Sequence, residues 1–352
     1  MKQFALSNDA IDINAIPKYT LSNGIQIPCI GYGTFGSDHV TPKDIAENMK
    51  TALSYGYRLI DCAPAYENEK EIGEALNDVF KSGEIKRDEL FVVSKLGNNR
   101  HKERDVIVAC TETLREMQLD YLDLYLVHWP FPNWHKPGCD SSERDPSARP
   151  FFEKEYLMVW RQMEKLVELG LVKSIGVSNM NIPKFKAVWD EMEIKPVVDE
   201  VELHPHLRQD DLIRYLKEKD ILPIAHTCLG SPHRPERDRT AEDTNCLQDP
   251  AVLQVASNHG IHPTLVCLKW AVQRGTLPVP FSTNPAHILS NLKCCTEDPL
   301  TEKEMDLLNS IETQCRLIKA TVLLWEGATD WHCMWDENGV IDRTGWNEDT
   351  KN

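Results

Sequence analysis

"GYRLIDCAPAYENEKEIG", from Gly56 to Gly73, holds one unit of the fold. "YRLID" is an apolar run of strand length, a short loop follows, and a helical pattern runs on from residue 68. Asp61 stands where the apolar run stops, and Tyr66 follows five residues later. A charge at the apolar end of a strand is costly unless it is paired. The stretch therefore sets two questions: how often the unit repeats, and where the partner of Asp61 lies.

The unit repeats along the chain. "CIGYG", "YRLID", "LFVVSK", "LDLYLVHW", "KSIGVSN", "PVVDEVE", "ILPIAHT" and "LPVPFS" are eight candidate strands. Helical patterns cover 42–55, 68–82, 104–118, 153–169, 182–192, 210–219, 263–273 and 285–292. Thr41-Pro42 has the form of an N-cap followed by proline at the first helical position. Near-continuous apolar strands alternating with helices predict a parallel sheet covered by helices. Eight such units close a (β/α)8 TIM barrel. "YTLSNGIQIP" precedes them as a hairpin turning on Asn23-Gly24. The expectation is a single domain over 1–352, with a barrel core of about 18–315 and a tail of 316–352. Two polar inserts, 130–152 and 230–248, follow the fourth and seventh strands, so both belong on the C-terminal face.

Bulk composition narrows the function. Hydrophobic residues make up 41% of the 352, enough for a substantial core, and the formal net charge is -16 with no Lys/Arg-rich run. That argues against a general nucleic-acid or anionic-membrane binder. The 11 cysteines are scattered, without C-x-x-C, and read as small core residues of a reduced cytoplasmic protein. No apolar run approaches the ~20 residues of a membrane span. No metal ligand set stands out.

"GYGTFG", Gly31 to Gly36, matches G-x-G-x-x-G. A dinucleotide fingerprint needs its helix to open at the glycines. Here "SDHVTPKD" intervenes, so the stretch reads as a glycine-rich loop after the first strand.

Polar residues end three neighbouring strands: Asp61 the second, Lys95 the third and His128 the fourth, with Tyr66 in the loop beyond Asp61. In a barrel these ends meet on one rim, where such folds place their active sites. Lys95 is then the partner of Asp61. A tyrosine's ordinary pKa of about 10 is too high for ready proton donation at neutral pH, and a nearby ammonium lowers it. Tyr66 fits a general acid for a developing alkoxide, and His128 a group that orients a carbonyl oxygen. Taken singly, Asp61–Lys95 also reads as a structural ion pair and His128 as a core histidine.

These segments are recognisable together. "GYRLIDCAPAYENE", "FVVSK", "LDLYLVHWP", "IGVSN" and "HPHLRQ" resemble the signature segments of the aldo-keto reductase superfamily, from about residue 18 to 315. The resemblance implies the tetrad Asp61, Tyr66, Lys95 and His128, hydride transfer from a reduced nicotinamide, and proton delivery by Tyr66. It also implies a cofactor bound extended, without a Rossmann fold. "AHTCLG", with His226 where most members carry tyrosine, is similar to the branch that makes sugar-alcohol phosphates (sorbitol-6-phosphate and mannose-6-phosphate synthesis).

The same resemblance assigns further cofactor contacts. Thr34 belongs to the set, Ser178 and Asn179 take the nicotinamide carboxamide, and Glu200 stands where a glutamine normally helps them. His226 lies under the nicotinamide ring, and Thr227, Leu229 and Ser231 line the pyrophosphate. The lysine and arginine that clamp the 2′-phosphate of NADP are replaced by Phe281 and His287, while Ser282, Asn284 and Asn291 remain. NADH is therefore expected to serve, alone or beside NADPH, unless arginines of "HRPERDR" (233–239) supply the charge. Phe35 and Trp129 are expected at the substrate. The tail holds Trp325, Trp331, Trp335 and Trp346, which read equally as sugar-stacking rings, Trp325 first among them, or as rings that cap the barrel or a subunit contact.

The expected activity is NAD(P)H-dependent reduction of an aldose, a ketose or a sugar phosphate by a monomer or homodimer. The alternatives are a reductase of non-sugar aldehydes or ketones, or a non-catalytic nicotinamide-nucleotide-binding redox sensor.

Overall fold

The computed structural model describes residues 3–36, 39–136, 139–140, 143–231 and 234–347. An antiparallel hairpin, β1 (Lys18–Thr20) and β2 (Gln26–Pro28), turns at Gly24, whose φ of 85° suits glycine. Eight parallel strands follow, and they are the eight expected: β3 (Tyr32–Gly33), β4 (Leu59–Asp61), β5 (Phe91–Leu96), β6 (Leu124–Val127), β7 (Ile175–Ser178), β8 (Val198–Glu202), β9 (Leu222–His226) and β10 (Leu277–Pro278). They pair in sequence order from β3 to β10. Backbone bonds from Gly31 N–H to the Pro278 carbonyl (3.0 Å) and from Gly33 N–H to the Pro280 carbonyl (3.1 Å) join the first strand to the last. The result is an α/β barrel of the (β/α)8 kind. A Cβ on Gly33 would stand 2.7 Å from the Val279 carbonyl oxygen, so this glycine of "GYGTFG" permits the close approach that shuts the ring.

The helices are α1 (Pro42–Tyr55), α2 (Glu69–Ser82), α3 (Asp105–Glu116), α4 (Glu153–Glu168), α5 (Ile182–Val188), α6 (Asp210–Glu218), α7 (Pro250–His259), α8 (Pro263–Gln273), α9 (Pro285–Lys293) and α10 (Glu302–Asn309). Thr41 caps α1 as expected, accepting from the Asp44 N–H. The helix expected over 182–192 stops at Val188 and ends in a tighter turn over Trp189–Glu191. Two helices were not anticipated, although both carry start signals. Asp249-Pro250 opens α7 as Thr41-Pro42 opens α1, and Thr301 with Glu304 forms a capping box on α10.

Period-two alternation divides the strand residues between two layers. Ile60, Val92, Tyr125, Val127, Ile175, Val177 and Val201 face the helices in the main core. Leu59, Phe91, Val93, Leu124, Leu126, Val198 and Ile224 fill the barrel interior, closed below by Leu21 and Ile27 of the hairpin. Asp61, Lys95, Glu200 and Glu202 share the parity of this inner set and lie above it on their strands. His226 continues β9 in the same phase, and His128 continues β6 one residue past its end.

The tail after α10 builds a third core with the first insert. Phe131, Cys139 and Ala148 pack with Val322, Leu323, Leu324, Trp325, Cys333, Met334 and Trp335. Asn133 ties the two together, donating to the Arg149 and Leu323 carbonyls at 2.8 Å each. The buried Lys184–Asp336 pair anchors the tail to α5, and Arg343 grips Glu153 of α4 through both carboxylate oxygens (2.8 and 2.7 Å).

Candidate active site

Lys95 is the hub of the upper interior. Its Nζ lies 2.5 Å from Asp61 Oδ1, 3.2 Å from the Cys62 carbonyl oxygen, 3.2 Å from the Tyr66 hydroxyl and 3.3 Å from Glu200 Oε2. The side chain is 1% exposed. Burial disfavours its charge, but Asp61, Glu200 and Tyr66 outweigh that and hold its pKa well above the ordinary lysine value. The partner sought for Asp61 is thus in place. Burial raises the Asp61 carboxyl, and Lys95 offsets only part of that rise.

Tyr66 sits on a short turn, Pro64–Tyr66, that begins three residues past β4. The sequence led us to expect a lowered phenol pKa. The structure corrects this: the net shift is upward, because burial raises it more than Lys95 lowers it, and Asp61 and Glu200 add to the rise. Tyr66 is a neutral O–H donor whose conjugate base has an ammonium 3.2 Å away. His128 presents its ring edge-on to the Tyr66 ring, with centroids 6.1 Å apart. Burial and then Lys95 push its pKa well below the ordinary histidine value, so the imidazole is neutral at pH 7 and carries one N–H.

A second group adjoins this one. Ser178 Oγ donates to the Glu200 carbonyl (2.8 Å), and Asn179 Nδ2 contacts the His128 carbonyl (3.0 Å) and Ser178 Oγ (3.1 Å). Asn179 holds φ 56°, a left-handed backbone that turns the chain at the rim. His226 lies 3.2 Å from Asn179 Oδ1 and 3.0 Å from Thr227 Oγ1, and burial lowers its pKa to about 4. Thr34 is fully buried and its hydroxyl donates to the Asp61 carbonyl (2.8 Å), so it braces the strand end. Thr227 and Ser231 both have positive φ, at 53° and 34°, and half-buried Leu229 packs on the main core.

A third group stands at the last strand. The Phe281 ring packs 5.9 Å from that of Tyr32, whose hydroxyl donates to the Ser282 carbonyl (2.7 Å). Ser282 Oγ accepts from the Asn284 N–H, and Asn284 caps α9. His287 is exposed on the first turn of α9, and Asn291 is buried farther along it. The arginines considered as substitutes face carboxylates on their own loop: Arg234 to Asp243, Arg239 to Glu236 (2.9 Å) and Arg237 to Asp238 (4.0 Å). His233 of that stretch lies outside the described residues.

Among the aromatic candidates, Phe35 is 43% exposed with its ring 5.1 Å from that of Tyr66. Trp129 is half-buried between Phe131 (5.9 Å) and Trp335 (5.6 Å). Trp325 is 1% exposed inside the tail's own core, and its Nε1 donates to the Thr344 carbonyl (2.9 Å). It packs the tail and offers no open ring face. Trp335, beside Trp129, is buried as well, with the Arg316 guanidinium 3.7 Å over its ring. The contact of Glu200 with Lys95 was legible in principle, from the alternation in "PVVDEVE".

Comparison with known proteins agrees with this geometry. The aldo/keto reductase family model matches residues 29–313. The chain belongs to the aldo/keto reductase family. An aldo/keto reductase of Synechocystis is 37% identical over 326 residues, which cover 92% of this chain and 98% of that protein. Aldo-keto reductase family 1 member A1 of Gallus gallus is 39% identical over 85% of this chain and 89% of its own. Aldose reductase B of Dictyostelium discoideum is 38% identical over 83% and 91%. This aldo/keto reductase is accordingly an NAD(P)H-dependent oxidoreductase acting on small carbonyl compounds. Among its described residues, no helix is long and apolar enough to cross a membrane, and no cluster of three or more His, Cys, Asp or Glu has the arrangement to hold a metal ion.

Its residues fit the nicotinamide end of the cofactor. Ser178, Asn179 and Glu200 supply polar atoms of both kinds for a carboxamide, and the buried Glu200 Oε2 has the Lys95 ammonium at 3.3 Å but no hydrogen bond of good geometry. The neutral His226 imidazole is an uncharged platform beside them.

Proposed function

We propose that this reductase converts the aldehyde or keto group of an aldose, ketose or sugar phosphate to the alcohol, with Tyr66 as the general acid. The observation that carries the reading is Lys95 Nζ held between Asp61 Oδ1 (2.5 Å) and the Tyr66 hydroxyl (3.2 Å) at the top of the barrel interior. The bound cofactor supplies the hydride. Everything else falls to the chain's own side chains.

Neutral His128 donates its N–H to the substrate carbonyl oxygen and orients it toward Tyr66. As negative charge grows on that oxygen, Tyr66 delivers its proton, and Lys95 stabilises the phenolate left behind. Asp61 keeps Lys95 charged and in place. Ser178, Asn179 and Glu200 hold the carboxamide, His226 supports the ring, Thr227, Leu229 and Ser231 follow the pyrophosphate, and Phe281, Ser282, Asn284, His287 and Asn291 take the adenosine end. Thr34 acts from below by fixing the Asp61 backbone.

Phe35 and Trp129 form the aromatic wall for the substrate, with Trp335 packed behind Trp129, and the Trp129 indole suits the C–H face of a sugar. A relative named aldose reductase B supports the aldose reading. The "AHTCLG" segment supports a phosphorylated sugar. Phe281 and His287 in place of two cations support NADH as a working cofactor. We read residues 1–352 as one functional unit, acting in the cytoplasm as a monomer or homodimer.

The test is oxidation of NADH and NADPH followed by absorbance, with matched pairs of free and 6-phosphorylated aldoses and a set of simple aldehydes. Turnover of the sugars above the simple aldehydes is the expected result. Turnover of simple aldehydes alone would remove the sugar assignment, and no turnover of any carbonyl would remove the enzymatic one.

A further inference from the structure

Two glutamates of β8 point into the barrel from the same strand, Glu200 and Glu202, and their surroundings are opposite in kind. Glu202 accepts from the Leu317 and Ile318 N–H groups at 2.8 Å each and contacts His204 Nε2 at 3.0 Å. These partners, His204 first, hold its pKa at about 2 against the effect of burial, and it is a carboxylate. Glu200 has neither backbone donors nor a histidine of this kind: its buried Oε2 has the Lys95 ammonium 3.3 Å away, and Asp61 holds that same ammonium more closely, at 2.5 Å.

We propose that Glu200 is a positioning residue of the reductase that carries a proton rather than a charge, donating it to Asp61 and thereby leaving the Lys95 ammonium to Tyr66. This rests on the reading of Tyr66 as general acid. The charge count carries the argument. One ammonium, Lys95, lies 2.5 Å from Asp61 and 3.3 Å from Glu200, and all three side chains are sealed from water. Two ionised carboxyls would leave this dry cluster with an uncompensated negative charge. One shared proton balances it. Asp61 is the nearer to Lys95 and keeps the charge. Burial and then Asp61 raise the Glu200 carboxyl to about 8.

The charged and titratable groups facing Glu200 are Asp61 from β4, Tyr66 beyond it and Lys95 from β5, with Asp199 next to it on its own strand. Its partners in the ladder, Ser178 on β7 and Ile224 on β9, are uncharged. Loss of the Glu200 proton therefore places a second negative charge beside Lys95 and next to Tyr66. That charge opposes formation of the Tyr66 phenolate, so proton delivery to the substrate slows as pH rises past the Glu200 ionisation.

Glu200→Gln tests this, because the amide keeps the shape and removes the titration. For reduction of one reference aldehyde, kcat/KM of the unaltered protein should fall above about pH 8. The Gln variant should lack that limb and exceed the unaltered protein about tenfold at the alkaline end. Thermal unfolding supplies a second readout. A carboxyl whose folded pKa lies above its unfolded value contributes stability below the unfolded value, and that contribution is lost as pH rises through the folded one. The Tm advantage of the Gln variant should thus widen from about pH 5 to about pH 9. A purely structural role would shift Tm equally at every pH. Parallel pH-rate profiles together with a constant Tm difference would overturn the proposal. If neither protein reduces any carbonyl, the function reading fails, and the Tm series alone still decides whether Glu200 carries the proton.

Discussion

The Lys95 ammonium contacts the Tyr66 hydroxyl at 3.2 Å while its closest contact, at 2.5 Å, is Asp61. The lysine is thus tethered to one side chain and positioned for another. The tether explains why a charge sits at the buried end of β4, and the second contact explains why a phenol stands just beyond.

Tyr66→Phe removes the proton donor and leaves the half-buried ring. Reduction should fall about 10²- to 10⁴-fold, the usual worth of a positioned acid. Cofactor affinity, read by fluorescence titration, should change little, because the phenol is not among the proposed cofactor contacts. A Phe variant that keeps most of the rate would remove Tyr66 from the mechanism.

Lys95→Met removes the only influence of those around Tyr66 that strongly favours its phenolate, since burial, Asp61 and Glu200 all oppose it. Proton delivery then leaves a phenolate with no ammonium beside it, so kcat should fall at every pH tested. The variant also strands Asp61 in a dry site, and stability should drop by about 3–5 kcal/mol, measurable by urea unfolding. A stability loss with an unchanged kcat would make Lys95 a structural partner of Asp61 alone.

Phe281→Lys with His287→Arg should turn cofactor preference toward NADPH. The present side chains offer no fixed cation at either position, so the unaltered protein should accept NADH at least as well as NADPH. Each charge-assisted contact to a phosphate contributes roughly 1.5–3 kcal/mol, about ten- to a hundredfold. The change should appear in cofactor KM, because the 2′-phosphate is remote from the reacting carbon. Strong NADPH preference in the unaltered protein would point instead to Arg234, Arg237 and Arg239.

Asp336→Ala leaves the Lys184 ammonium buried without its carboxylate and also removes an acceptor of Asn181 Nδ2 (2.9 Å). The tail should loosen locally and become sensitive to limited proteolysis. Trp335 then leaves Trp129, and KM for the sugar should rise more than kcat falls. A protease-resistant tail with an unchanged KM would show that the Trp129–Trp335 contact is not part of the substrate wall.

The sequence by itself determined the eight strands, their order and the identity of the polar residues that end them. The reason is that periodicity and capping are local: apolar strand runs, Thr41-Pro42 and Asn23-Gly24 act within a few residues of themselves. The same local signals at Asp249-Pro250 and Thr301–Glu304 were present, and they mark α7 and α10. Only the tertiary structure decided distances and burial across strands. It placed Glu200 against Lys95, turned the net shift of Tyr66 upward, and put Trp325 into a core with the 130–152 insert while bringing Trp335 to Trp129. These outcomes depend on how much water the closed barrel excludes and on which distant segments meet, and neither is written within the span of any one motif.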